Sequence, residues 1–324
     1  MEETNTSRLL ISAPQKSAGK TTVSLGILHN LQQEGVKVQS FKKGPDYIDP
    51  MWLKLASGTE CHNLDPYLLG EEGCLDSFGR YSTKTDMALI EGNHGLHDGM
   101  SLDGFDSSAG LANMLQSPVL LVINSRGMGR GAAAVVTGMQ KMQPEPNIVG
   151  VVLNQVRSAR QQEKQKSAIE RFCRVPVVGS LPIDEAVIIP ERHLGLTTVD
   201  EMESARGIIS RAGELVAQHC DMDAIKSMFK ATPLHTVSLD RKPLIPEHAS
   251  VKIGIFYDPT FCFYYPENLA ALRENGAELV LIDSLHDNSL PDLDGLYIGG
   301  GFPESFFEEI SANRKLLLEV KERV

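Results

Sequence analysis

With 324 residues, 42% of them hydrophobic, the chain can fill more than one sizeable core. A formal charge of −11 excludes a general nucleic-acid surface, which needs clustered lysine and arginine. The polar start MEETNTSR lacks the layout of a secretory signal, and no apolar run reaches membrane-spanning length. The five cysteines form no C-x-x-C pair, so a cytoplasmic protein with reduced thiols is expected.

The first element to carry chemistry is RLLISAPQKSAGKTTVSLGIL, Arg8 to Leu28, where an apolar run breaks into a small polar loop and then an amphipathic helix. This strand–loop–helix context is the one a phosphate-binding loop requires. Gly19 lets the backbone approach a polyphosphate, Lys20 reaches its outer phosphates, and the Thr21 hydroxyl is placed to ligate magnesium. Amides at the helix start complete the anion site. Ser17, Ala18, Gly19, Lys20, Thr21 and Thr22 are therefore the expected nucleotide contacts. The usual G-x-x-x-x-G-K-T pattern departs here in one place, Pro14 standing where its first glycine falls.

Further along, LLISA, VKVQSF, MALIE, VLLVI, IVGVVL and VPVVGSL alternate with helical spacing. Nearly continuous apolar strands separated by helices predict a parallel α/β sheet covered on both faces, with the site at its carboxyl edge. Two strand ends are chemically dense. KKGPDYIDP crowds Lys42, Lys43, Asp46 and Asp49 into one turn, and GNHGLHDG follows Glu91. Acids at strand ends suit a magnesium ion held between phosphates, because a hard cation needs oxygen ligands. Glu91 is the first candidate and Asp46 the second; Lys20, Lys42, Asp46 and Glu91 form the expected catalytic set. The spacing of His94 and His97 suggests metal ligation, but a third ligand is lacking.

The segment TPLHTVSLDRKPLIPEHAS, 232–250, has three prolines and little periodicity, and reads as a linker between a domain at 1–231 and another at 251–324. In the second, KIGIFY, a helix from about Pro266, AELVLI and GLYIGGGFPE repeat the α/β order.

GKTT, FKKGPDYIDP, CHNLDPYL, IEGNHGLHDG, VLLVINSRGMGRG, GVVLNQV, LPIDEAVIIPERHLGL, FCFYYPENL and DGLYIGGGFPE together resemble the cobyrinic acid a,c-diamide synthase family over almost the whole chain. The resemblance implies a P-loop NTPase-like parallel-sheet domain similar to dethiobiotin synthetase and MinD. It also implies a partial class I glutamine amidotransferase-like α/β domain, and the combined activity is ATP-dependent, glutamine- or ammonia-using amidation of tetrapyrrole acetate groups. ATP and magnesium are the implied cofactors, with Thr21, Asp46 and Glu91 on the metal. Asn154 would read adenine, and Arg192 and His193 would face nucleotide or substrate. Tyr47, His94, His97 and Asp98 would meet the substrate, and Gly299, Gly300 and Gly301 resemble an oxyanion strand. The chemistry is coherent, since a carboxylate resists ammonia until phosphorylation supplies a leaving group.

The nucleophilic cysteine of that glutaminase class would follow the glycine strand, and here only SFFEEISANRKLLLEVKERV follows, so a C-terminally truncated domain is expected. His94 and His97 stand where many relatives carry methionine and tyrosine, and imidazoles can donate to extra carboxylates; a siroheme-type ring is expected slightly ahead of cobyrinic acid. A homodimer is the assembly left open, with neither nucleic acid nor membrane as partner. Two alternatives stand beside this reading. A dethiobiotin-synthetase-like ligase needs no second domain of this kind, and a MinD-like switch needs a signature lysine that Lys16 does not supply in place.

Overall fold

The computed structural model describes residues 2–192, 195–199, 202, 204–236 and 251–323. The chain divides into two compact units, Met1–Leu239 and Asp240–Val324.

The first unit contains β1 (Glu2–Thr4), β2 (Ser7–Ser12), α1 (Lys20–Gln33), β3 (Val38–Lys43), α2 (Ile48–Ser57), β4 (His62–Leu64), α3 (Pro66–Ser82), β5 (Met87–Glu91), α4 (Ser108–Met114), β6 (Val119–Asn124), α5 (Ala132–Lys141), β7 (Ile148–Val156), α6 (Ala159–Cys173) and β8 (Val177–Pro182). It ends with the hairpin β9 (Glu191–Arg192) and β10 (Gly195–Leu196), then α7 (Ala205–His219), α8 (Met222–Met228) and β11 (Leu234–Thr236). Seven strands form one sheet in the order β4-β3-β5-β2-β6-β7-β8, and each neighbouring pair is parallel. Leu9, Leu10 and Ile11 on β2 and Leu120 to Ile123 on β6 are wholly buried, as strands covered on both faces must be.

On one face, α1 packs against α7 and α2. Gly26 permits the α1–α7 approach, because a Cβ there would lie 2.4 Å from Val216 Cγ2 and 2.6 Å from the Ala212 carbonyl. On the other face, Phe78 of α3, Leu111 of α4, Val136 of α5 and Ile169 of α6 join the main apolar cluster with Leu10, Ile90 and Leu121.

The first unit runs past the expected boundary at 231. β11 pairs antiparallel with β1, Leu234 opposite Thr4, and Lys230 bridges to Arg8. Residues 237–250 of the expected linker lie outside the described residues.

The second unit carries β12 (Val251–Phe256), α9 (Pro266–Glu274), β13 (Ala277–Ile282), β14 (Gly295–Ile298), α10 (Phe307–Ala312) and α11 (Arg314–Arg323). Its three strands are parallel in the order β13-β12-β14. Phe256, Ile282, Leu290 and Leu316 make its own small core. Among the described residues no helix is long and apolar enough to cross a membrane.

Candidate active site

β2 lies between β5 and β6, so its carboxyl end opens at the middle of the sheet. The loop that follows turns sharply into α1. Gly19 adopts φ +101°, a conformation that L side chains rarely take, and a Cβ there would stand 2.0 Å from Asn154 Nδ2. Asn154, at the carboxyl end of β7, donates from Nδ2 to the Ala18 carbonyl at 2.9 Å and accepts the Gln155 amide at Oδ1, also at 2.9 Å. Its amide therefore holds the loop's backbone, which leaves one Nδ2 proton for any base. Ser17 is exposed with φ 53°, and Thr22 sits in the first turn of α1.

Lys20 points back across the loop and donates to the His94 carbonyl at 2.5 Å. Burial, reinforced by the Lys42 charge, pushes its ammonium down to about 8. Thr21 Oγ1 donates to Glu91 Oε1 at 3.0 Å.

The adjacent strand ends bring the acids together. Lys42 on β3 is paired in register with Glu91 on β5. Its buried Nζ donates to Glu91 Oε1 at 2.8 Å and to Asp49 Oδ2, and stands 3.9 Å from Asp46. Burial alone would lower Lys42, but Asp49, Glu91 and Asp46 together hold it well above the ordinary lysine range. Burial, aided by the Asp49 charge, pushes Asp46 up to about 6. Asp49 is also raised by burial, yet the Lys42 ammonium outweighs this and its net direction is down.

Asp46 Oδ1 accepts the Ile48 and Asp49 amides, both at 3.0 Å, and so caps the start of α2. Glu91 is fully buried, and its Oε2 has no hydrogen-bond partner. A buried, orphaned carboxylate oxygen beside a hydroxyl is a donor set that fits a hard cation. Among the described residues no three His, Cys, Asp or Glu side chains stand together at metal-binding spacing.

The structure thus brings together Lys20, Thr21, Lys42, Asp46 and Glu91. It adds Asp49, whose signal was its place seven residues after Lys42 in FKKGPDYID. Tyr47 occupies the N-cap position of α2.

Asp98 closes its own turn by accepting the Gly95 amide at 2.8 Å. His94 is exposed on a positive-φ turn, φ 49°. His97 Nε2 is 2.9 Å from the Met139 carbonyl on α5, which anchors one ring nitrogen in the fold, while Nδ1 is buried without a hydrogen-bond partner among the described residues. Arg192 lies on β9, in a segment docked on α2 by the Trp52 Nε1 bond to the Thr197 carbonyl at 2.9 Å; His193 lies outside the described residues.

In the second unit the first of the three expected oxyanion amides is engaged within the fold. The Gly299 amide donates to the Tyr264 hydroxyl at 2.7 Å, and the Gly300 carbonyl accepts from Phe263. Gly301 is required by close approach, since a Cβ would fall 1.8 Å from the Thr260 carbonyl. Cys262 is buried.

A parallel sheet with a phosphate loop at its centre and a buried lysine–carboxylate cluster beside it defines a P-loop nucleotide-binding domain, here joined to a second α/β unit. Residues 10–196 match the CobQ/CobB/MinD/ParA nucleotide binding domain family, and residues 252–324 match the CobB/CobQ-like glutamine amidotransferase domain family. The cobyrinate a,c-diamide synthase of Magnetococcus marinus is 44% identical over 321 residues, covering 98% of this chain and 69% of its own. Those of Methanobrevibacter smithii and Listeria monocytogenes are 39% and 38% identical, covering 97% and 95% of this chain and 70% and 69% of theirs. The chain belongs to the cobyrinate a,c-diamide synthase family, ATP-dependent carbon–nitrogen ligases that use glutamine as amido donor.

Proposed function

We propose that this protein amidates the a and c acetate carboxylates of cobyrinate: each carboxylate takes the terminal phosphoryl group of ATP to give an acyl phosphate, and ammonia then adds at the acyl carbon and expels phosphate. The observation that carries the reading is the Lys42–Glu91–Asp49 cluster with Asp46, set at strand ends beside the phosphate loop. Lys20 would meet the outer phosphates of ATP, and the backbone from Ser17 to Thr22 would hold the polyphosphate. Lys42 would steady the acetate as charge moves onto it, a task suited to a buried cation whose carboxylate partners already fix its direction.

Thr21, Glu91 and Asp46 would hold magnesium, with phosphate oxygens and water completing its shell. Bound there, the ion would neutralise phosphate charge. Asn154 would orient the loop and keep one proton for the adenine ring. Tyr47, His94 and Asp98 border the same strand ends and would meet the substrate.

Between cobyrinate and the siroheme-type ring expected from His94 and His97, the names of the relatives support cobyrinate. The test is mass spectrometry of products after incubation with ATP, magnesium, ammonia, and either cobyrinic acid or sirohydrochlorin. Two carboxylates of cobyrinic acid should become amides. Exclusive conversion of sirohydrochlorin would overturn the substrate assignment, and conversion of neither would overturn the amidation reading.

A further inference from the structure

Beside the strand ends just described, the first unit exposes large apolar side chains in two short segments. In the first turn of α3, Tyr67 is 65% exposed and Leu68 63%, with Leu69 next to them. In the loop after β5, Met100 is 80% exposed and Leu102 fully exposed, with Phe105 nearby. Among the described residues these two segments hold most of the large exposed apolar groups of this unit. Single exposed leucines need no explanation, but a concentration at one edge does.

Both segments are rigidly built. The Asp65 side chain accepts the Tyr67 amide at 2.9 Å, and Gly70, at φ 67° and ψ −178°, breaks the helix so that residues 66–69 form a separate turn. The Asp106 carboxylate accepts the Met100 and Ser101 amides at 2.6 and 3.0 Å, and Asp103 accepts the Phe105 amide at 3.0 Å. A loop braced in this way and still holding its apolar side chains in water is preorganised for something apolar.

The chain runs into both segments from one end of the sheet, and Gly104 of the second packs on Pro144. β3 lies between β4 and β5, so the segments leave the same end of the sheet on either side of Lys42 and Lys43. Asp65 and Asp106, the residues that brace the two segments, both act on the charge of Lys43. The edge continues into a border where three lysines, Lys16, Lys43 and Lys20, and one carboxylate, Asp98, act on exposed His94.

We propose that these two segments are a seat for one face of the tetrapyrrole macrocycle, holding an acetate arm over Lys42 and Glu91. The proposal rests on the reading given under Proposed function and names its substrate contacts. A broad apolar ring with peripheral carboxylates matches an apolar shelf bordered mainly by lysines. A second copy of the chain on this shelf would instead cover the strand ends through which the carboxylate must enter.

The test uses Leu68→Asp, Leu102→Asp and the conservative Leu102→Met, with cobyrinic acid as probe. Its binding is followed by absorbance titration, turnover by steady-state kinetics, and assembly by light scattering. Each aspartate variant should raise the Kd and KM for cobyrinic acid roughly tenfold or more, while KM for ATP stays unchanged and Leu102→Met behaves as wild type. Unchanged Kd and KM in both aspartate variants, where wild type binds, would overturn the seat alone. A loss of assembly with unchanged KM would assign the shelf to a second copy and overturn it likewise. Failure of the wild-type protein to bind cobyrinic acid would overturn the functional reading, and the seat with it.

Discussion

Lys20 is held as a cation against burial and against the nearby Lys42, so its charge is conditional in a way an exposed lysine's is not. With its ammonium pushed down to about 8, it is fully charged below that pH and loses its proton above. ATP favours the charged form, so the Kd for ATP should stay flat on the acid side and rise above about pH 8, approaching tenfold per unit, with proton uptake on binding. Calorimetry between about pH 6.5 and about pH 9.5 would show this; a flat profile would remove Lys20 from the phosphate site. Lys20→Ala should abolish turnover while leaving the fold intact.

Glu91→Gln should also abolish turnover, because it neutralises the oxygen set beside Thr21, while Lys42 keeps Asp49 as partner. Activity of Glu91→Gln across a magnesium titration would shift the metal role to Asp46. Lys42→Met is a different matter. It would strand Glu91 as an uncompensated buried charge beside Asp49, at about 3–5 kcal/mol, and urea unfolding should register the loss before any assay does.

At the scale of elements, the phosphate loop is locked from β7. Gly19→Ala should weaken ATP binding, because the new Cβ meets Asn154 Nδ2 at 2.0 Å and the positive φ adds roughly 1–3 kcal/mol of strain. Adding Asn154→Ala should relieve the clash and recover part of the affinity.

A second lock lies under the sheet. Arg8 is fully buried and donates to the carbonyls of Leu115, Thr6 and Thr232, at 2.5, 3.1 and 2.8 Å, which joins α4, the chain start and the approach to β11. Arg8→Met would leave those carbonyls without a donor and should lower stability by roughly 3 kcal/mol or more, read as a fall in the urea midpoint.

For the whole molecule, two separate cores predict separable unfolding. ATP with magnesium, at about 100 times its Kd, should stabilise the unit at Met1–Leu239 by about 2.7 kcal/mol and leave the transition of Asp240–Val324 in place. Calorimetry that shows both units shifting together would mean they unfold as one.

Six strands of the main sheet were legible because burial on both faces gives most of them nearly continuous apolar runs, with β3, VQSFKK, the most polar of the six. β4 was not, since His62 and Asn63 are polar and only its pairing with β3, Phe41 opposite His62, makes three residues a strand. β1 and β11 escaped for the same reason, each existing by virtue of the other. The phosphate loop could be read because its function needs contiguous residues. Lys42 and Glu91 were legible as strand-end groups, but their union in one buried cluster depends on β3 lying beside β5, a fact of sheet order that no local pattern carries. His97 shows the converse. Its spacing from His94 is a property of the sequence, while its bond to Met139 belongs to the fold, and the sequence determined which groups were present where the tertiary structure decided which of them meet.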